Sequence, residues 1–285
     1  MSISTSMTNI EIKNVILPFD FSNSSKNALQ HAVTIAKKFH TTVTAVCMMD
    51  SYSSNALQLK GIKLEEFEAI AKAKLNELAT DIECTVSDGR WSRAVGDIIK
   101  KKEGSVVILG VGEKGRDGFF DGPHAYRIVD SINAPLLVIK DSQQNCEYKI
   151  IATPLDQTMD TRQKLPFVKL MGGAFTAKVS MIGLHTNVTK DTSIHMESVM
   201  RQAAQYIQTK ASYEYKIVQS KNEIGDLMNF TDESKADLLV IMSSHEKALS
   251  KIFASAYAQQ VVEKSNIPVL ICPLTVSKIA ASVSV

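Results

Sequence analysis

Apolar residues are distributed along this chain in two alternating textures. Val15–Phe19, Val43–Met49, Ile82–Val86, Ser105–Leu109 and Leu136–Ile139 are short runs, apolar almost throughout. Between them, apolar positions recur at helical spacing. Ala28, Leu29, Ala32, Ile35 and Ala36 form one such stripe, and Phe67, Ile70, Ala71, Leu75 and Leu78 another. Ser22 stands where the first stripe needs an N-cap. Strands apolar on both faces, alternating with amphipathic helices, predict α/β architecture with a parallel sheet covered on both sides.

The pattern occurs twice. "NVILPFDFS" from Asn14 is echoed by "KIIATPLDQ" from Lys149; Pro18 and Pro154, like Asp20 and Asp156, are 136 residues apart. "VGDIIKK" is echoed by "IGDLMNF", "SVVILG" by "ADLLVIM" and "NAPLLVIK" by "NIPVLICP", in the same order. So long a period means duplication of a domain and not a solenoid. The expected organisation is a flexible 1–11, a first domain over 12–140, a polar linker over 141–147, a second domain over 148–274 and a flexible 275–285. Pro166 falls in the first helical segment of the second copy, which predicts a later helix start with Pro166 in its first turn. Leu136–Ile139 and Val269–Cys272 are short, apolar and edge-like. Pairing them would join the two copies within the chain and cover an exposed edge.

In doubly wound sheets, ligands bind beyond the carboxyl ends of the strands, where strand order reverses. Two features sit at such ends. One is Pro18-Phe19-Asp20. The other is the loop holding Gly110, Gly112, Gly115, Gly118 and Gly122, five glycines in thirteen residues. Glycine admits positive φ and close approach of a ligand to the backbone, and a helix starting after the loop would aim free N–H groups at a phosphate. A loop without core contacts also tolerates glycine, and an aspartate after a strand also caps a helix. Both pairs of readings stand at this point.

Composition narrows the field. The net charge is +2 in 285 residues, with no polybasic cluster, which argues against nucleic acid or an anionic membrane as partner. The apolar runs are too short to span a bilayer. The polar opening "MSISTSMTNIEIK" lacks the apolar centre of a signal peptide. Cys47, Cys84, Cys146 and Cys272 have neither metal-ligand nor redox spacing, and read as reduced thiols of a cytoplasmic protein. His185, His195 and His245 show no two-ligand spacing, and Ser243-Ser244-His245 no nucleophile elbow. No metal site is expected.

On "ILPFDFSNSSKNALQHAVTIAKKF" and "GFFDGPHAYRIVDSINAPLLVIK", the chain resembles a tandem protein of the universal stress protein family. The resemblance implies two Rossmann-like domains of the adenine nucleotide alpha hydrolase type, paired through their last strands. It also implies a non-catalytic stress-response role. An adenine nucleotide, ATP or AMP, would lie in the first domain against Pro18, Phe19, Asp20, Met48, Gly110, Gly112, Gly115, Gly122, Pro123 and His124, with Mg²⁺ only alongside a triphosphate. The family's ATP-binding loop reads Gly, two residues, Gly, nine residues, Gly, then Ser or Thr. Gly112 and Gly122 keep the nine-residue interval. The first glycine falls on Leu109, or on Gly110 with the loop one residue short. Pro123 replaces the hydroxyl residue, removing a hydroxyl and an N–H together, so binding should be weak. In the second copy Asp156 survives, but Ser255-Ala256 replaces Gly122-Pro123 and no glycine lies between Met242 and Pro268. That copy reads as a nucleotide-free structural partner. The rivals are a slow ATPase using the same crevice and a nucleotide-free interaction module. The pairing leaves room for a homodimer of whole chains.

Overall fold

A computed structural model of the chain describes residues 10–49, 63–87, 91–112, 134–158, 160–185, 189–243 and 251–273. Each apolar run becomes a strand and each amphipathic stretch a helix. The first half contains β1 (Asn14–Phe19), α1 (Asn23–Phe39), β2 (Thr42–Met48), α2 (Leu64–Leu78), β3 (Ile82–Ser87), α3 (Trp91–Lys101), β4 (Ser105–Val111) and β5 (Leu136–Lys140). The second contains β6 (Ile150–Leu155), a 3-10 turn (Asp160–Lys164), α4 (Leu165–Phe175), β7 (Lys178–His185) and α5 (Lys190–Ile207). It continues with β8 (Tyr213–Gln219), α6 (Glu223–Ser234), β9 (Leu238–Met242), α7 (Lys251–Lys264) and β10 (Val269–Cys272).

Helix boundaries follow local chemistry. The Ser22 hydroxyl accepts from the Ser25 N–H and starts α1, as its position predicted. The helix stops at His40, left-handed at φ 52°, whose N–H reaches the carbonyls of Ala36 and Lys37. In the second half Pro166 does lie in the first turn of α4, preceded by the 3-10 turn.

The strands form one ten-stranded sheet in the order β3-β2-β1-β4-β5-β10-β9-β6-β7-β8. Each half is therefore wound in the same order from its own first strand. The pairs are parallel except β5 with β10, which run antiparallel with Val138 opposite Val269, Leu137 opposite Leu270 and Leu136 opposite Ile271. The two runs that looked like edges are thus the centre of the sheet. The true edges are β3 and β8, where exposed Glu83 and Glu214 pair with Lys102 and Lys178. Charged edges discourage further strand pairing.

The segment joining the halves is pinned. Gln143 is buried, and its carbonyl accepts from Asn27 Nδ2 at 3.0 Å and from His31 Nε2 at 2.8 Å. A carbonyl can only accept, so the proton is on Nε2, and Nδ1 accepts from the Tyr148 hydroxyl at 2.7 Å. Burial holds the His31 pKa below its usual value, which keeps this neutral tautomer. Tyr148 packs on Phe175 of α4 with centroids 4.9 Å apart. Residues of both halves thereby share one hydrophobic cluster across the seam.

Candidate functional site

Strand order reverses between β1 and β4. Their ladder runs from Asn14–Ser105 to Ile16–Val107, yet β1 continues to Phe19 and β4 to Val111. The crevice expected of a doubly wound sheet opens at that point. Pro18 and Phe19 stand opposite Val46 and Cys47 of β2, so Pro18-Phe19-Asp20 and the terminal Met48 lie at one end of adjacent strands. Phe19 is fully buried, its ring edge-on to Phe21 at 4.8 Å, so it belongs to the hydrophobic core. Asp20 is 4% exposed. Its Oδ1 accepts from the Ser22 N–H at 3.0 Å and the Ser22 hydroxyl at 2.5 Å, and Ser22 in turn caps α1. Asp20 therefore orients the cap without being the cap.

Gly110 has a definite packing role. A Cβ built there would lie 2.2 Å from the Ser24 carbonyl oxygen and 2.9 Å from the Ser25 nitrogen. Glycine is what lets the first turn of α1 rest directly on β4. Gly112 follows the strand, half-buried. Gly115, Gly118, Gly122, Pro123 and His124 lie outside the described residues.

The second half repeats the construction. The β6–β9 ladder comprises Ile151–Leu238 and Ala152–Leu239, while β6 continues to Leu155 and β9 to Met242. Asp156 Oδ1 accepts from Thr158 N at 2.8 Å, Thr158 Oγ1 at 2.6 Å and Thr161 Oγ1 at 2.8 Å. Thr158 and Thr161 are thus the counterparts of Ser22 and Ser25 at the 136-residue offset. Two substitutions then change the site. Registered through the ladders, Met242 falls where the first half has Gly110. A side chain there forbids direct seating of an α-helical first turn, in keeping with the 3-10 turn at that place. Lys164 falls where the first half has Ala28.

Lys164 is 1% exposed. Its ammonium group donates to the Thr161 carbonyl. Burial depresses its pKa to about 8, against the raising influence of Asp156 and then Cys272. With Pro154, Leu155, Leu184, Ile241, Met242 and Tyr257 it lines a cavity of about 20 Å³, room for a single water molecule. No motif in the sequence singles out Lys164. The signal was available: a lysine at a helix position whose counterpart belongs to an apolar stripe.

Elsewhere, His195 Nε2 lies 3.3 Å from the Gln157 carbonyl, and His185 ends β7. His245 is outside the described residues. Among the described residues no group of three or more His, Cys, Asp or Glu could hold a metal ion, and no helix is long and apolar enough to cross a membrane. The four cysteines are free thiols, three of them in strands.

The profile of the universal stress protein family matches residues 11–140 and 187–273. A universal stress protein of Methanocaldococcus jannaschii is 27% identical over 139 residues, which are 45% of this chain and 82% of that one. The crystal structure of a universal stress protein from Archaeoglobus fulgidus superposes with a TM-score of 0.65 at 14% identity, over 93% of this chain and 97% of that one. A putative universal stress protein from Pseudomonas aeruginosa UCBPP-PA14 gives 0.62 at 13% identity, over 92% and 93%. At these identities the two structures bear on the fold.

Proposed function

Since this chain belongs to the universal stress protein family, we propose that it is a cytoplasmic stress-response protein that binds one adenine nucleotide in its first half. The second half is a nucleotide-free scaffold, and the two units span 12–140 and 148–274. The observation carrying this reading is the difference between the two crevices. Both keep the aspartate that organises the following helix. Only the second sets long side chains around it, the buried Lys164 and Met242, which line a cavity of about 20 Å³. At the same places the first half has the small Ala28, and Gly110, on which the first turn of α1 rests. ATP or AMP would lie among Pro18, Asp20, Met48 and the glycine loop that runs to Gly122, Pro123 and His124.

The role is binding and not turnover. Asp20, the carboxylate at the crevice, is already engaged by Ser22. The lysine and hydroxyl pair of a P-loop is missing from the glycine loop. Mg²⁺ would enter only with a triphosphate.

Calorimetric titration of the full chain with ATP and with adenosine tests the proposal. One site per chain is expected, with ATP binding little better than adenosine because Pro123 offers no hydroxyl and no N–H. Pro123→Ser should strengthen ATP over adenosine roughly tenfold, the scale of one charge-assisted hydrogen bond. Two equivalent sites per chain, or none, would overturn the reading. An unchanged ATP-to-adenosine ratio in Pro123→Ser would remove the phosphates from this loop.

A further inference from the structure

Cys47 and Cys84 are 37 residues apart, and nothing in their spacing connects them. The sheet does. Parallel pairing of β2 with β3 sets Ala45 opposite Cys84 and Cys47 opposite Val86, so the two cysteines are diagonal neighbours on one face. Their sulfurs are 4.0 Å apart, at van der Waals contact. Cys47 has no exposed surface, whereas Cys84 is half-buried on the edge strand. They lie on the face covered by α2, whose Phe67, Ala71 and Leu75 are in the same hydrophobic cluster.

We propose that Cys47 and Cys84 are a hydroperoxide-reactive dithiol that closes to a reversible disulfide, stapling the edge strand β3 to β2.

The surroundings assign each thiol a part. The contact with Cys47 and then the nearby Lys72 favour the thiolate of Cys84, partly opposed by burial and by Glu68. The contact with Cys84, then burial and the charge of Asp20, hold the proton on Cys47. Cys84 is therefore the attacking sulfur, and it is the one a small hydroperoxide can reach. Its thiolate attacks the terminal oxygen of the peroxide. The O–O bond breaks, and the departing alkoxide or hydroxide takes up a proton to leave as alcohol or water. Cys84 is left as sulfenic acid. The Cys47 sulfur then attacks the Cys84 sulfur, the S–O bond breaks, and hydroxide leaves as water with the Cys47 proton. The two sulfurs together give up two electrons, and the peroxide accepts them.

The geometry also makes the bond reversible. With strands about 4.8 Å apart and a rise of about 3.3 Å per residue, diagonal neighbours two residues out of register have Cα atoms roughly 8 Å apart, beyond the usual disulfide span of about 4.4–6.8 Å. The strands must shift to close the bond. The edge strand β3 is held on one side only, so it is able to shift. A bond closed against strain has a more oxidising potential and is readily reduced. Cys47 stands opposite Phe19, the residue before Asp20, so closure also takes place beside the proposed nucleotide crevice.

The test uses the full chain, reduced, then exposed to a small molar excess of hydrogen peroxide. Remaining thiols are alkylated after unfolding, and the digest is mapped without reductant. The expected product is one intrachain link between the peptides holding Cys47 and Cys84, with the intact mass lower by two hydrogens. Cys146 and Cys272 should stay alkylatable, and dithiothreitol should restore both thiols. Lys72→Glu should slow the reaction roughly twofold, the scale of one exposed charge, with the fold unchanged. In Cys47→Ala, Cys84 should advance to sulfinic acid for want of its resolving partner. The mapping of the wild-type chain stands whether or not that variant folds. Cys84 recovered as sulfinic acid while Cys47 remains a thiol in the wild-type chain would overturn the proposal. So would a link between chains, or no loss of thiol.

Discussion

A methyl group at Gly110 would overlap the Ser24 carbonyl, and neither partner is free to retreat. Ser24 is in the first turn of a capped helix, and Gly110 is in a strand hydrogen-bonded to β5 through the Gly110–Ile139 pair. Gly110→Ala should therefore cost ~1–3 kcal/mol, the usual penalty for overpacking, read as a lower urea midpoint with an unchanged slope. A mutant as stable as the parent would mean that the helix rides up from the sheet easily. In the sequence, Gly110 is one of five glycines that suit a bound ligand or a tight turn equally well. The spacing of a glycine run shows where Cβ atoms are missing but not what occupies their space. Lys164 is the converse case. A lysine in a sequence reads as solvated, and only the packed crevice shows it with 1% exposure.

Among elements, the start of α1 and the turn before α4 diverge from one plan. Both begin with an aspartate after Pro-x and a hydroxyl two residues later, and both contacts recur. The glycine-to-methionine exchange on the facing strand then separates them. The second version carries a buried ammonium group, which gives it a pH signature. Lys164 titrates near 8 in the folded chain and near its ordinary 10.5 when unfolded. The unfolded chain therefore binds the extra proton between those values, and stability should rise as pH climbs from about 8 to about 10.5. The rise attributable to Lys164 is ~3 kcal/mol. Below pH 8 that contribution is absent at any pH. Lys164→Met should flatten the rise and raise stability at pH 7, since an apolar chain of similar length needs no charge buried. Chemical denaturation of both proteins at pH 7, 8.5 and 10 compares the slopes. Parallel profiles would show that Lys164 reaches water. Helix existence and the late start at Pro166 were legible from periodicity and proline chemistry. The 3-10 turn was not, because it answers a side chain on a strand some eighty residues further on.

At the scale of the molecule, the β5–β10 pairing makes one continuous sheet of two wound halves, and the seam is locked from above. Asn27 and His31 of α1 grip the Gln143 carbonyl, and Lys140 Nζ donates to the carbonyls of Glu263 at 2.9 Å and Ser265 at 2.8 Å. The joining segment cannot act as a free tether while those bonds hold. Small-angle scattering should therefore fit one rigid particle with the halves in contact. A profile of two separated, flexibly linked bodies would contradict it.

Alternating apolar runs and amphipathic stripes determined the α/β class, the parallel winding and the position of nearly every element, because hydrophobic periodicity is a local record of which faces are buried. The duplication was likewise written in repeated order, and the pairing of the two last strands was what the family resemblance implied. Tertiary structure decided the rest. It turned the supposed edge strands into the centre of the sheet and pinned the polar linker through the buried Gln143. It gave Gly110 to helix packing and filled the second crevice with Lys164. It also set two cysteines 37 positions apart at 4.0 Å. Each of these depends on the distance between segments remote in the chain. Local sequence fixes which way a side chain faces, whereas only the closed fold fixes what it faces.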